Sequence, residues 1–184
     1  MNSNIKNDID NIYSLIKKSA DKIIKYMESK GQRFKDGLFN DVKVVDYTNY
    51  QNIEDCKGIY VLQMEEDFIC ELNFDLAEKS SKRRDTNITK FEKNKILYLG
   101  KSYNVKNRAK NHFLGTPAST YSLKMSDEKR KNQNGRPLNE FVKMYIFCLK
   151  SDYANDAKYY EILLPAIEDI LHDKLQPIIG TPRK

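Results

Sequence analysis

Three cysteines, two histidines and the lack of any long apolar run set the first limits on this chain. Cys56, Cys70 and Cys148 are odd in number, widely spaced and without a CxxC pair, so neither a disulfide framework nor a four-cysteine zinc site is expected. With only His112 and His172 there is no HExxH pair, and zinc centres built on several imidazoles are excluded. The glycines never assemble a phosphate-loop or dinucleotide fingerprint. No stretch of about 18 apolar residues exists, which excludes a membrane-spanning helix. The opening MNSNIKNDIDNIYSLIKK has neither the apolar stretch nor the small-residue cleavage site of a secretory leader. Together these absences predict a cytoplasmic protein with no membrane partner.

What is present is aromatic and basic. Twelve tyrosines and eight phenylalanines give a chain of 40% apolar residues enough material for a core. At 184 residues one compact domain is expected, able to bury roughly 70% of its extended surface. The formal charge of +6 favours a polyanionic partner without identifying one.

Apolar residues at 5, 9, 12, 16, 20, 23, 24 and 27 follow the period of an amphipathic helix over 5–28, stopped by Gly31. Strands are predicted at 42–47, at 57–64 (entered through Gly58) and at 68–74 as a partner of the second. Segment 78–95 holds seven Lys or Arg against three acids and reads as a solvated insertion. ILYLG at 96–100 is a buried strand, and NVKNRAKNHF at 104–113 is a helix begun by the capping Asn104. A short helix near 119–126 and a basic loop at 127–136 follow. Then come a strand at 141–149 and helical runs on both sides of Pro165, which kinks the run or starts a second helix. The order predicts an α+β fold: a small central antiparallel or mixed sheet flanked by helices, with an N-terminal helical extension. Residues 1–50 would form that extension and a short strand, and 51–184 the main domain with its basic insertion.

Some residues stand out within this plan. Tyr98 shares a strand face with Ile96, and Gly100 permits close approach to the backbone. On pattern alone Tyr98 also reads as an ordinary core tyrosine. Arg108 and His112 lie one turn apart on the helix, next to the apolar line Val105, Ala109 and Phe113. A guanidinium fork suits phosphate oxygens, although a solvated charged face gives the same pattern. On the last helix, Ile167, Ile170, Leu171 and Leu175 mark the buried side, with Glu161, Glu168 and His172 toward the opposite edge. A carboxylate there could hold a hard cation or simply face solvent.

GIY at 58–60 and YLG at 98–100, followed by KSYNVKNRAKNHF, resemble the GIY-YIG nuclease family. Arg108 stands ten residues beyond the second tyrosine, as in that family, and His112 matches its restriction-enzyme branch. Glu168 in EDILHDKLQP matches the family's helical glutamate. The likeness covers about 58–180 and implies a divalent-metal-dependent endonuclease acting on double-stranded DNA, either a type II restriction enzyme or a related defence nuclease. It implies Mg²⁺ or Mn²⁺ on Glu168, Tyr60 as base or relay for the attacking water, and Tyr98 orienting water or phosphate. Arg108 would clamp the scissile phosphate, with His112 assisting proton transfer. Lys101, Lys106, Arg83, Arg84, Lys124, Arg130 and Arg136 are the expected DNA contacts. A cut through both strands implies a second active site, hence a homodimer, for which the helix over 5–28 is a candidate element; packing of that helix on its own sheet is the alternative. The chain departs from the family in its long interval between the tyrosine motifs. It also departs in Gly180, where an asparagine usually braces the site. Either Asn104, Asn111 or backbone replaces that asparagine, or the chain is a catalytically weak nucleic-acid-binding protein retaining the fold.

Overall fold

A computed structural model describes residues 3–29, 33–64, 95–115, 123, 125–126 and 135–178. Within them four strands form one sheet in the order β1-β4-β2-β3: β1 (Lys43–Val45), β2 (Gly58–Met64), β3 (Ile96–Ser102) and β4 (Val142–Cys148). The α-helices are α1 (Ser3–Ser29), α2 (Val105–Leu114), α3 (Ser151–Ala154) and α4 (Ala157–Leu175). The α+β class and the N-terminal helix are as expected, and the described pairings are all antiparallel.

Strand β2 lies between β4 and β3 and is buried at every residue. Its alternation sends Ile59 and Val61 to one face and Tyr60, Leu62 and Met64 to the other, and both faces are covered. The first face packs on α1 and α4 through Ile16, Ile23, Leu164, Ile167 and Leu171. The second packs on Val105, Ala109 and Phe113 of α2, joined by Leu123, Met125, Leu138 and Ile178. Glycine at 58 is required by the sheet itself. A Cβ there would run into the Phe147 carbonyl of β4, so no larger residue lets these strands lie so close.

The apolar stripe of α1 is covered by the chain's own sheet, the simpler of its two expected fates. Ile16, Ala20, Ile23 and Met27 are buried there, while Ile9 and Tyr13 remain exposed. In the same N-terminal stretch β1 pairs with β4, Val44 opposite Tyr145. Helix α4 runs unbroken through Pro165 rather than splitting in two. An internal proline costs about 3 kcal/mol. Leu163, Leu164, Ile167 and Leu171 are buried around it, and each contributes roughly 1.5–3 kcal/mol by leaving water, so packing wins. The Asp156 side chain caps the start by accepting from the Lys158 N–H, and Gln176, left-handed at φ 45°, ends it.

One cysteine expectation is overturned. Cys56 and Cys148 form a disulfide, with Cα atoms 5.8 Å apart. The cause is register: β2 and β4 place Gly58 opposite Cys148, which carries Cys56, two residues earlier, alongside it. The cysteine count therefore no longer argues for a reducing compartment. No helix among the described residues is long and apolar enough to cross a membrane. The predicted strand at 68–74 lies outside the described residues, as do nearly all of the basic segment 78–95 and most of 119–136.

Candidate active site

Strand β3 leads through Gly100 and Lys101 directly into α2, and this junction positions the site. Asn104 caps the helix: its side-chain oxygen accepts from the Asn107 N–H at 2.7 Å, and its amide donates to Asp55 at 2.8 Å. The Val105 N–H adds a bond of 2.9 Å to the Cys56 carbonyl, and left-handed Gly115, at φ 76°, closes the other end. With Val105, Ala109 and Phe113 in the core as expected, the neighbouring face carries Arg108 and His112 onto the tyrosines of β2 and β3.

Four of the expected residues meet there. The Arg108 Nε–H donates to the Tyr60 hydroxyl at 3.0 Å, and His112 Nε2 lies 3.1 Å from the same oxygen. Tyr60 and Tyr98 stack with centroids 6.0 Å apart, close enough for the Tyr98 phenol to act on both Tyr60 and Arg108. Gly100 makes room for this. A Cβ at that position would stand 2.7 Å from the Tyr60 hydroxyl and 2.9 Å from a Tyr98 ring carbon.

The hydrogen bonds have a direction. The Leu123 N–H donates to His112 Nδ1 at 3.0 Å, so the neutral imidazole carries its proton on Nε2 and donates to Tyr60. The Tyr60 oxygen thus accepts from both His112 and Arg108. Tyr60 is 0% exposed, and burial pushes its phenol well above the usual value, with Tyr98 adding to the rise and Arg108 opposing it. Tyr98 is only partly buried. The cluster is therefore centred on a buried, protonated Tyr60 with the more accessible Tyr98 stacked against it; of the two roles expected of Tyr60, relay suits this burial better than base. For Arg108, burial works against the charge and the two phenol oxygens outweigh it, holding the guanidinium above its ordinary value.

Glu168 stands at the edge of β3 away from β2. The Lys101 N–H donates to its Oε1 at 3.2 Å and the Lys101 ammonium to Oε2 at 2.5 Å. One turn on, His172 is hydrogen-bonded to the Leu99 backbone. A turn of α4 advances about 5–6 Å and two strand residues about 6–7 Å, so the two side chains cap successive backbone groups of the edge strand. His172 was expected toward the solvent edge; it is buried, with Nδ1 lacking a partner. Burial lowers its pKa, partly opposed by Glu168 and by the Leu99 bond. Its i,i+4 spacing from Glu168 was the available signal for this role. No sequence signal pointed to the Leu123 N–H.

The expected DNA contacts separate. Lys101 faces Glu168, with its side chain 12% exposed. Lys106 is exposed and lines a groove of about 510 Å³ with Lys110, Asn107 and Gln51, on the side of α2 opposite Arg108. Arg136 pairs with Glu140 at 2.9 Å and covers the Phe141 ring. Arg83, Arg84, Lys124, Arg130 and Gly180 lie outside the described residues. Asn104, one suggested replacement for the bracing asparagine, is engaged by the helix cap.

Glu168 offers hard oxygen donors, and Mg²⁺ characteristically binds through one or two carboxylates and keeps several waters. Among the described residues no group of three or more His, Cys, Asp or Glu is assembled. The donor set fits a hydrated hard cation on one carboxylate, not a protein cage. Comparison of the chain with family models, curated proteins and solved structures finds no match.

Proposed function

We propose that this protein is an endonuclease that hydrolyses phosphodiester bonds of double-stranded DNA with Mg²⁺ or Mn²⁺, serving restriction or a related defence against foreign DNA in the cytoplasm. The observation that carries this reading is the convergence of Tyr60, Tyr98, Arg108 and His112 into one cluster, Arg108 and His112 hydrogen-bonded to Tyr60 and Tyr98 packed on its ring, drawn from two strands and a helix. Glu168, on α4, holds the next residue of the same edge strand through the Lys101 N–H. An isolated core tyrosine or a solvated arginine would not require this arrangement.

Hydrolysis joins a water oxygen to phosphorus and breaks the bond from phosphorus to the 3′ oxygen, so charge must be stabilised on the phosphoryl oxygens and on the leaving oxygen. Arg108 presents a planar fork of N–H donors suited to phosphate oxygens and supports the phosphoryl charge. Tyr98, the more accessible of the two phenols, orients the water or phosphate. Tyr60 and His112 fix Tyr98 and relay protons behind it. Glu168 would hold the cation, which when bound would supply neutralisation of the charge that develops as the bond breaks.

The test is incubation of purified protein with plasmid and phage DNA, with Mg²⁺ or EDTA, followed by mapping of the ends. Metal-dependent scission is expected, lost in a folded Arg108→Ala protein by a factor of roughly 10²–10³, as for other removed charge-stabilising donors. Glu168→Gln should lose scission but keep DNA binding. Mass in solution on target duplex should show two copies, in keeping with a homodimer. A monomer that only nicks would remove the duplex-cutting reading, and near-normal scission by Arg108→Ala would remove the site.

A further inference from the structure

The carboxylate assigned to the cation is already occupied, and by a neighbour one residue from the tyrosine cluster. Both Glu168 oxygens accept from Lys101, Oε1 from its backbone N–H and Oε2 from its ammonium. The pair is largely shielded, with side chains 12% and 13% exposed. At that burial the ion pair is screened far less than a surface one. A divalent cation seeking Oε2 meets a positive charge at the contact distance it needs for itself.

We propose that Lys101 is the built-in counter-cation of Glu168: its ammonium and a divalent cation compete for Oε2, and metal binding requires the ammonium to leave. The backbone N–H stays on Oε1 and holds the carboxylate in place through the exchange, since it belongs to β3 and does not move with the side chain. The displaced ammonium, on a flexible four-carbon stem, starts one residue from Gly100, against which the Tyr60 and Tyr98 rings lie. Where a backbone phosphate of the proposed substrate takes the expelled ammonium, metal and phosphate raise each other's affinity by linkage. Without metal the ion pair also removes the bare carboxylate that would repel DNA. The exchange rests on the nuclease reading for the identity of the cation and the phosphate. The ion pair itself does not.

The experiment measures Mn²⁺ binding without DNA, by electron paramagnetic resonance of the free ion. It compares wild type, Lys101→Met, Lys101→Gln and Glu168→Gln, each checked for folding by circular dichroism. Removing a charged hydrogen-bond partner from Oε2 should tighten Mn²⁺ binding about tenfold or more in Lys101→Met. Lys101→Gln, which keeps a neutral donor, should show a smaller gain, and Glu168→Gln should lose the site. Equal or weaker affinity in the folded Lys101 variants would overturn the proposal, as would failure of every protein to bind Mn²⁺ at a Glu168-dependent site. A protein that cuts no DNA yet shows the affinity gain keeps the ion-pair exchange and loses the nuclease reading. One that cuts DNA with Mn²⁺ affinity unchanged in Lys101→Met does the reverse.

Discussion

The Tyr60 hydroxyl lies 2.7 Å from the point where any side chain at residue 100 would begin. The backbone of β3 at Gly100 is thus one wall of the tyrosine cluster. Gly100→Ala forces either the Tyr60 ring or the strand to shift, because the crowding atoms belong to two aromatic rings held by hydrogen bonds. Overpacking of this kind costs about 1–3 kcal/mol. Denaturant unfolding should show that loss, and cleavage should fall more than about tenfold because Arg108 and His112 lose their common acceptor. Unchanged stability and rate would mean the cluster is not packed against β3 in this way.

Tyr60→Phe and Tyr98→Phe should differ in kind. Removing the Tyr60 oxygen leaves the Arg108 Nε–H and the His112 Nε2–H without their buried acceptor, at a cost of about 1–3 kcal/mol. Tyr98 is partly exposed, so water can replace its hydroxyl and the stability loss should be under about 1 kcal/mol. Its loss should appear in kcat with little change in KM, because an orienting group at the reacting end acts in the transition state. The reverse pattern, a large stability loss at Tyr98 and none at Tyr60, would contradict the placement of Tyr60 as the buried hub of the cluster.

The parts of this site that were legible in the sequence are local. Asn104 capping α2, the buried line Val105, Ala109 and Phe113, and the pairing of Arg108 with His112 all follow from helical periodicity. The sheet and its flanking helices follow from alternation and turn residues. What stayed hidden depends on long-range register. Val44 meets Tyr145 across about a hundred residues, Cys56 meets Cys148, and Lys101 meets Glu168 only once α4 lies along β3. Pro165 misled in the opposite sense, because its local cost is outweighed by apolar contacts that become countable only after folding. His172 looked solvent-facing because a polar residue on a helix edge gives no sign that a strand carbonyl lies within reach.

The Cys56–Cys148 bond spans a sequence separation of 92, so it constrains a large loop of the unfolded chain. Native disulfides typically contribute about 2–4 kcal/mol, more for long loops in the chain-entropy model. The ladder between β2 and β4 survives without it, since the Leu149 N–H still reaches the Lys57 carbonyl at 2.8 Å. Reduction, or a double Cys56→Ser and Cys148→Ser variant, should therefore lower the unfolding free energy by about that amount while the folded spectrum persists. Equal denaturation midpoints with and without reductant, after alkylation verifies reduction, would show that the bond contributes nothing to stability.

His172 gives the fold a pH dependence whose sign can be worked out. Burial depresses its folded-state pKa below the ordinary 6.5, with Lys101 acting in the same direction and Glu168, Asp169 and the Leu99 bond opposing. Above about pH 6.5 the ring is neutral in both folded and unfolded chains, and its full contribution to stability is present. As pH falls below that value the unfolded chain takes up a proton that the folded chain resists, so stability declines until the folded pKa is passed. His172→Gln keeps a donor for the Leu99 carbonyl but cannot titrate. In EDTA, the difference in urea midpoint between wild type and His172→Gln should therefore be constant above about pH 7 and shift against wild type between about pH 6.5 and 5. Taking the difference cancels contributions from groups that do not act on the ring. A constant difference across the whole range would mean that the His172 ring is as free to ionise in the folded protein as in the unfolded chain.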